Sequence, residues 1–157
     1  FKRGRGKFFF TEWAESVEIE SNKNEFPFIL TTGRKLEHYN CGTMTRRTNN
    51  AMLLSEDTLV IHPKDAKRKG IKSGDMVRLF SKRGEIKMKS TVEKSVKPGI
   101  VYTTFHFPDQ MINYLTSDVA DGDSMCPEYK VVAVDFELAV SAPDDPAEKP
   151  EEVFVTK

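Results

Sequence analysis

Apolar and polar residues alternate with a two-residue period over several short stretches of this chain, and no long helical period appears. After Pro27, the run Phe28-Ile29-Leu30 is suited to a buried strand, and Val60-Ile61-His62 predicts a second short one. Met76 to Phe80 and Glu85 to Val92 alternate on either side of Ser81-Lys82-Arg83-Gly84, the pattern of a hairpin. A turn at Lys97-Pro98-Gly99 leads into the β-prone run Ile100 to Phe105. The last strand is expected over Tyr129 to Leu138, with Val132, Val134 and Phe136 on one face. Val17 and Ile19 alternate with Glu18 and Glu20, which predicts a short edge strand over Ser16 to Ser21. Helical signals are few. Pro63 at a first helical position, Asp65 in the first turn, cations in the last turn and Gly70 as a stop predict one short helix. Gln110 to Leu115 has room for one or two further turns. Many short strands with small helices predict a mainly-β fold, a compact barrel with helical insertions.

The 157 residues fit one domain with tails, and 38% hydrophobic content is enough for a core. The sequence divides into a lead-in segment or linker over residues 1–24, a barrel over 25–140, and an acidic, Pro-rich tail over 141–157. A start at Phe1 instead of Met suggests processing or excision from a longer polypeptide. No apolar run approaches the ~20 residues that span a bilayer, and Phe8-Phe9-Phe10 with its basic neighbours is no signal peptide, so no direct membrane insertion is expected. The formal net charge is +0, from 24 basic and 24 acidic side chains. This balance argues against a nucleic-acid partner, because phosphate-binding domains usually carry a basic excess. Cys41 and Cys126 are far apart and form no CxxC pattern, so neither a disulfide framework nor a metal site is expected from them.

The sequence contains no nucleophile elbow, P-loop or HExxH pair, and no catalytic residue is assigned. Thr31 to Asn50 stands out as a long polar stretch rich in Thr, Arg and Asn. Gly33 permits close backbone approach to a ligand, Arg34 offers a planar donor fork for phosphate, and Asn40 can both donate and accept. His106 and Asn113 bring the same capacity from a second loop. On residue chemistry alone, a plain polar surface loop remains equally open.

The stretch from Phe28 through Thr31-Thr32-Gly33-Arg34, His38-Tyr39 and Gly42-Thr43-Met44-Thr45-Arg46-Arg47 resembles the opening of the molybdopterin dinucleotide-binding domain of the dimethyl sulfoxide reductase superfamily. It looks most similar to the formate dehydrogenase branch. The resemblance continues in order through His62-Pro63-Lys64-Asp65-Ala66, Ser81-Lys82-Arg83-Gly84, Phe105-His106-Phe107 with Asn113 and Leu115-Thr116, and Pro127-Glu128-Tyr129-Lys130. His62 departs from the family's usual Asn, and Asn40 occupies a variable position.

The resemblance implies a double-psi β-barrel of the aspartate-decarboxylase-like type, serving as the C-terminal domain of a molybdenum or tungsten oxidoreductase. Its cofactor would be bis(molybdopterin guanine dinucleotide), contacted by Thr32, Gly33, Arg34, His38, Asn40, Thr43, His106, Asn113, Tyr129 and Lys130. The intact enzyme would oxidise formate to carbon dioxide, and the isolated domain would be inactive. Iron–sulfur and metal-ligating residues would lie in upstream domains of the same large subunit, with electron-transfer iron–sulfur subunits as further partners. The cytoplasm is the expected compartment, or the periplasm if an export signal precedes this segment. Nitrate reductase, the barrel subunit of formylmethanofuran dehydrogenase, and an interaction barrel like those of some AAA ATPases are the alternatives.

Overall fold

Six short strands close into a single barrel in the order β1-β5-β2-β4-β3-β6. The strands are β1 (Phe28–Gly33), β2 (Thr58–Ile61), β3 (Met76–Ser81), β4 (Glu85–Val92), β5 (Ile100–Thr104) and β6 (Val132–Leu138). The computed structural model describes residue 2 and residues 4–139, so the tail predicted over 141–157 lies outside the described residues. β1 runs parallel to β5 and β2 parallel to β4, while the other neighbours are antiparallel. This is the mainly-β, double-psi barrel that the sequence predicts. Parallel neighbours cannot be joined by a hairpin, so the chain must cross the barrel between them.

The alternation in the sequence becomes inside and outside. In β3, Val77, Leu79 and Ser81 face inward, and in β4 Ile86, Met88 and Ser90 do so. Phe28, Leu30, Leu59, Ile61, Val101, Val132, Val134 and Phe136 complete the core. The Phe28 and Phe136 rings lie 4.6 Å apart at a tilt of 52°. Burial of each such side chain contributes roughly 1.5–3 kcal/mol.

Helix α3 (Pro63–Lys69) forms as its signals predict, after α1 (Val17–Asn22) and α2 (Asn50–Leu53). His62 Nδ1 accepts from the Lys64 N–H at 3.1 Å, and Gly70 closes the helix at φ 70°. Of the one or two turns expected over Gln110 to Leu115, one appears as the 3-10 segment Ile112–Tyr114, and a second 3-10 segment, Pro108–Gln110, comes just before it.

The edge strand predicted over Ser16 to Ser21 is instead helix α1. The alternation misleads because burial falls on the adjacent pair Glu18 and Ile19, 2% and 8% exposed, while Val17 and Glu20 stay exposed. Arg83, at the β3–β4 turn, donates to both Glu18 oxygens at 2.9 and 2.7 Å, and the Ala133 N–H donates to Glu18 Oε1 at 3.2 Å. Asn22, one helical turn on, donates to the Glu18 carbonyl at 2.8 Å. A carboxylate anchored from the barrel side thus selects the helix and fixes α1 against β6.

Burial alone would push the Glu18 carboxyl upward, but hydrogen bonds from Arg83 and the Ala133 N–H, with the Arg83 charge, bring it below its ordinary 4.5. Its stabilisation is therefore complete above that value and is lost as pH falls through the lower folded value. Arg83→Met should destabilise the fold by roughly 2–4 kcal/mol, somewhat under the loss for a fully enclosed pair, because Arg83 keeps some solvent contact. Urea unfolding at constant slope measures this. Glu18→Gln should flatten the acid limb of the wild-type stability curve.

Candidate functional site

The register of β1 against β5 places Thr32 beside Thr103 and Gly33 beside Thr104, so both strands end at the same rim. Their following loops, starting at Arg34 and Phe105, therefore leave side by side. β6 is antiparallel to β1 with Val132 opposite Leu30, which brings the residues ahead of β6 to the end of β1. There Lys130 Nζ donates to the Thr32 carbonyl, and the Thr32 hydroxyl donates to the Tyr129 carbonyl at 3.2 Å. The short turns after β5 supply Ile112 and Asn113 to the opposite wall.

These elements enclose an open groove of about 360 Å³ lined by Thr32, Arg34, Phe105, Ile112, Asn113, Thr116, Tyr129 and Lys130. An adjoining hollow of about 290 Å³ shares Phe105, Ile112 and Asn113 and continues to Cys41, Phe107 and Met111. No carboxylate lines the groove, so Arg34 and Lys130 make it locally positive in a chain of zero net charge. Aromatic faces on Phe105 and Tyr129, hydroxyls on Thr32 and Thr116, and the Asn113 amide complete the lining. Two cations with an amide and aromatic walls match the needs of a pyrophosphate joined to flat heterocycles. The donor set fits a pterin nucleotide. Among the described residues, no group of three or more His, Cys, Asp or Glu is placed to hold a metal ion.

Local conformations hold Arg34 in position. The Arg34 guanidinium lies 5.3 Å from the Phe105 ring centre, and its Nε donates to Asn40 Oδ1 at 3.1 Å. Asn40 itself sits at φ 49°, and Met111, which lines the adjoining hollow, at φ 47°. Tyr102 donates its hydroxyl to the Arg34 carbonyl at 3.1 Å. Burial, and then the nearby Asp57 charge, push this phenol upward, so it stays a donor. A Cβ at Gly33 would lie 2.6 Å from the Tyr102 ring, so it is the tyrosine of the neighbouring strand that demands glycine here.

Of the residues singled out in the sequence, the fold brings Thr32, Arg34, Asn113, Tyr129 and Lys130 onto one groove, with Asn40 bonded to Arg34 at its edge. Gly33 backs onto Tyr102, and Thr43 is exposed on the turn beyond Cys41. His38 and His106 are buried at 4% and 0% exposure, and both ring nitrogens of each are engaged within the protein. Sequence reasoning did not single out Phe105, Ile112 and Thr116 as lining, nor Asp57. Phe105 closes the β-prone run and carried a readable signal. Asp57 carried none, because its role exists only once β2 and β5 pair.

Residues 28–133 match the family described as the molydopterin dinucleotide binding domain. The chain is 43% identical over 135 residues to the F420-dependent formate dehydrogenase subunit alpha of Methanocaldococcus jannaschii, covering 85% of this chain and 20% of that protein. It is 41% identical over 120 residues to a nitrate reductase of Symbiobacterium thermophilum, covering 73% of this chain and 16% of the relative. The chain thus spans about a fifth of the length of these relatives. Acetylene hydratase from Pelobacter acetylenicus shares the fold, with a TM-score of 0.68 at 14% identity over 84% of this chain and 21% of that one.

Gly33→Ala should displace Tyr102, loosen the Arg34 carbonyl and cost about 1–3 kcal/mol as an overpacking change. Removing the opposing ring in Gly33→Ala/Tyr102→Ala should make the combined loss clearly smaller than the sum of the single losses. A double-mutant cycle read by urea unfolding checks this.

Proposed function

The chain belongs to the molydopterin dinucleotide binding domain family, and on that premise we propose that its groove grips the nucleotide part of a bis(molybdopterin guanine dinucleotide) cofactor in an oxidoreductase of the formate dehydrogenase type. Arg34 and Lys130 hold the diphosphate, while the Thr32 and Thr116 hydroxyls, which donate to the Tyr129 and Asn113 carbonyls, fix the walls beside it. Asn113 and Asn40 meet the polar edge of a heterocycle, while Phe105 and Tyr129 cover its faces. Gly33, His38 and His106 shape the loop that carries Arg34, and Thr43 stands at its outer rim. The single observation behind this assignment is a groove holding two cations and no carboxylate at the shared end of β1, β5 and the approach to β6.

The molybdenum or tungsten centre of the bound cofactor supplies the two-electron chemistry that takes formate to carbon dioxide in the intact enzyme. This chain binds and orients. The relatives' greater length supports upstream domains of one large subunit as the structural partners, and these would contain any iron–sulfur cluster and the metal-ligating residue. Iron–sulfur electron-transfer subunits and a cytoplasmic location complete the reading, with the barrel domain taken as residues 25–140. Among the described residues no helix is long and apolar enough to cross a membrane. The likeness to a nitrate reductase favours nitrate reduction as the second reading of substrate.

GDP, which carries the guanosine and diphosphate of the cofactor, is the probe for this reading. Arg34→Ala and Lys130→Ala should each weaken GDP binding about tenfold or more, the worth of one charge-assisted hydrogen bond. Calorimetric titration measures it. Equal affinity in wild type and both variants would refute the assignment.

A further inference from the structure

The loop between β1 and β2 is pinned to the β5 exit by one buried imidazole. The Lys35 N–H donates to His106 Nε2 at 2.9 Å, while His106 Nδ1 bonds to the Asn40 carbonyl. A carbonyl only accepts and a backbone N–H only donates. Nδ1 must therefore carry the proton and Nε2 must be bare. His106 is 0% exposed, so water does not supply a substitute partner for either nitrogen. Its two bonds clasp the turn at Lys35 and Asn40, and Arg34, the residue just before that clasp, is tied to the Asn40 side chain.

His38 has the opposite arrangement. Its Nε2 meets the Leu54 carbonyl at 2.8 Å and so bears the proton, leaving Nδ1 to accept from the Thr45 hydroxyl at 2.9 Å. The Thr45 oxygen in turn accepts from the Tyr39 N–H at 3.2 Å. The two rings lie 5.5 Å apart. The β5 exit that carries His106 is itself held by Asp57, 1% exposed, which accepts from the Thr104 hydroxyl and from the Phe107 N–H at 3.2 Å. Other titratable or charged groups around His106 are Arg34 over Phe105, Arg46 at 5.9 Å from the Phe107 ring centre, the Tyr102 phenol and the Cys41 thiol. Glu37 and Glu93 stand farther out beside Lys35 and His38.

We infer that His106 is a positioning residue which, as the Nδ1–H imidazole, latches the Lys35–Asn40 turn and so holds the side of the groove that carries Arg34. The latch needs only the hydrogen bonds above. Its effect on ligand binding rests on the nucleotide reading of the groove.

The test is nitrogen NMR of the whole chain with specifically labelled histidine at about pH 8, joined to amide exchange and calorimetric GDP titration of two variants. His106 should show protonated Nδ1 and bare Nε2, and His38 the reverse. His106→Leu, which offers neither bond, should strip exchange protection from the Lys35 amide and lower GDP affinity at least about tenfold. His106→Gln, whose amide keeps one donor and one acceptor, should retain both. Should His106→Leu fail to fold, the histidine spectrum and His106→Gln decide. A protonated Nε2 on His106, or a Lys35 amide that stays protected in folded His106→Leu, overturns the latch. Absence of GDP binding in the wild type, with Lys35 protection following residue 106, supports the latch and refutes the nucleotide assignment instead.

Discussion

Parallel pairing of β1 with β5 is the constraint from which the site follows. Hairpin-linked strands alternate their ends between the two rims, but a parallel pair delivers two loops to one rim. With Thr32 level with Thr103 and Gly33 with Thr104, the Arg34 loop and the Phe105 loop are forced to emerge together. The antiparallel β6 then brings Tyr129 and Lys130 to the same place from the other side. Residues nearly a hundred positions apart meet because strand register, not local sequence, sets their separation.

Around that rim, buried polar groups do the positioning and exposed ones are left for a ligand. Tyr102, His106, His38 and Asp57 spend their hydrogen bonds on backbone and side chains of the two loops. Buried polar atoms without partners are costly, so such a network persists only when its members are satisfied together. Arg34, Lys130 and Asn113 line the open groove. The division explains how a dinucleotide-binding domain can require a closely specified loop geometry.

The sequence was most legible where the signal was local. The cap residues of α3, the β3–β4 hairpin and the alternation of β4 each announced themselves within a few residues, and the ordered family motifs led to Thr32, Arg34, Asn113, Tyr129 and Lys130. Helix α1 was misread because Glu18 obtains its partner from Arg83, 65 residues away, which buries a carboxylate next to Ile19 and breaks the two-residue period. His38 and His106 have the chemistry of ligand-reading side chains, and only the fold reveals that their donors and acceptors are taken up internally. Gly33 was legible as a site of close approach, although the neighbour that approaches is Tyr102. Asp57 had no local pattern to betray it.

The most direct measurement is a crystal structure of the chain with GDP. The account predicts the diphosphate between Arg34 and Lys130, with the guanosine running along Phe105, Asn113 or Tyr129. Nucleotide bound elsewhere, or a groove closed by Arg34 folding into it, would contradict the claim that this rim was built to hold a pterin nucleotide.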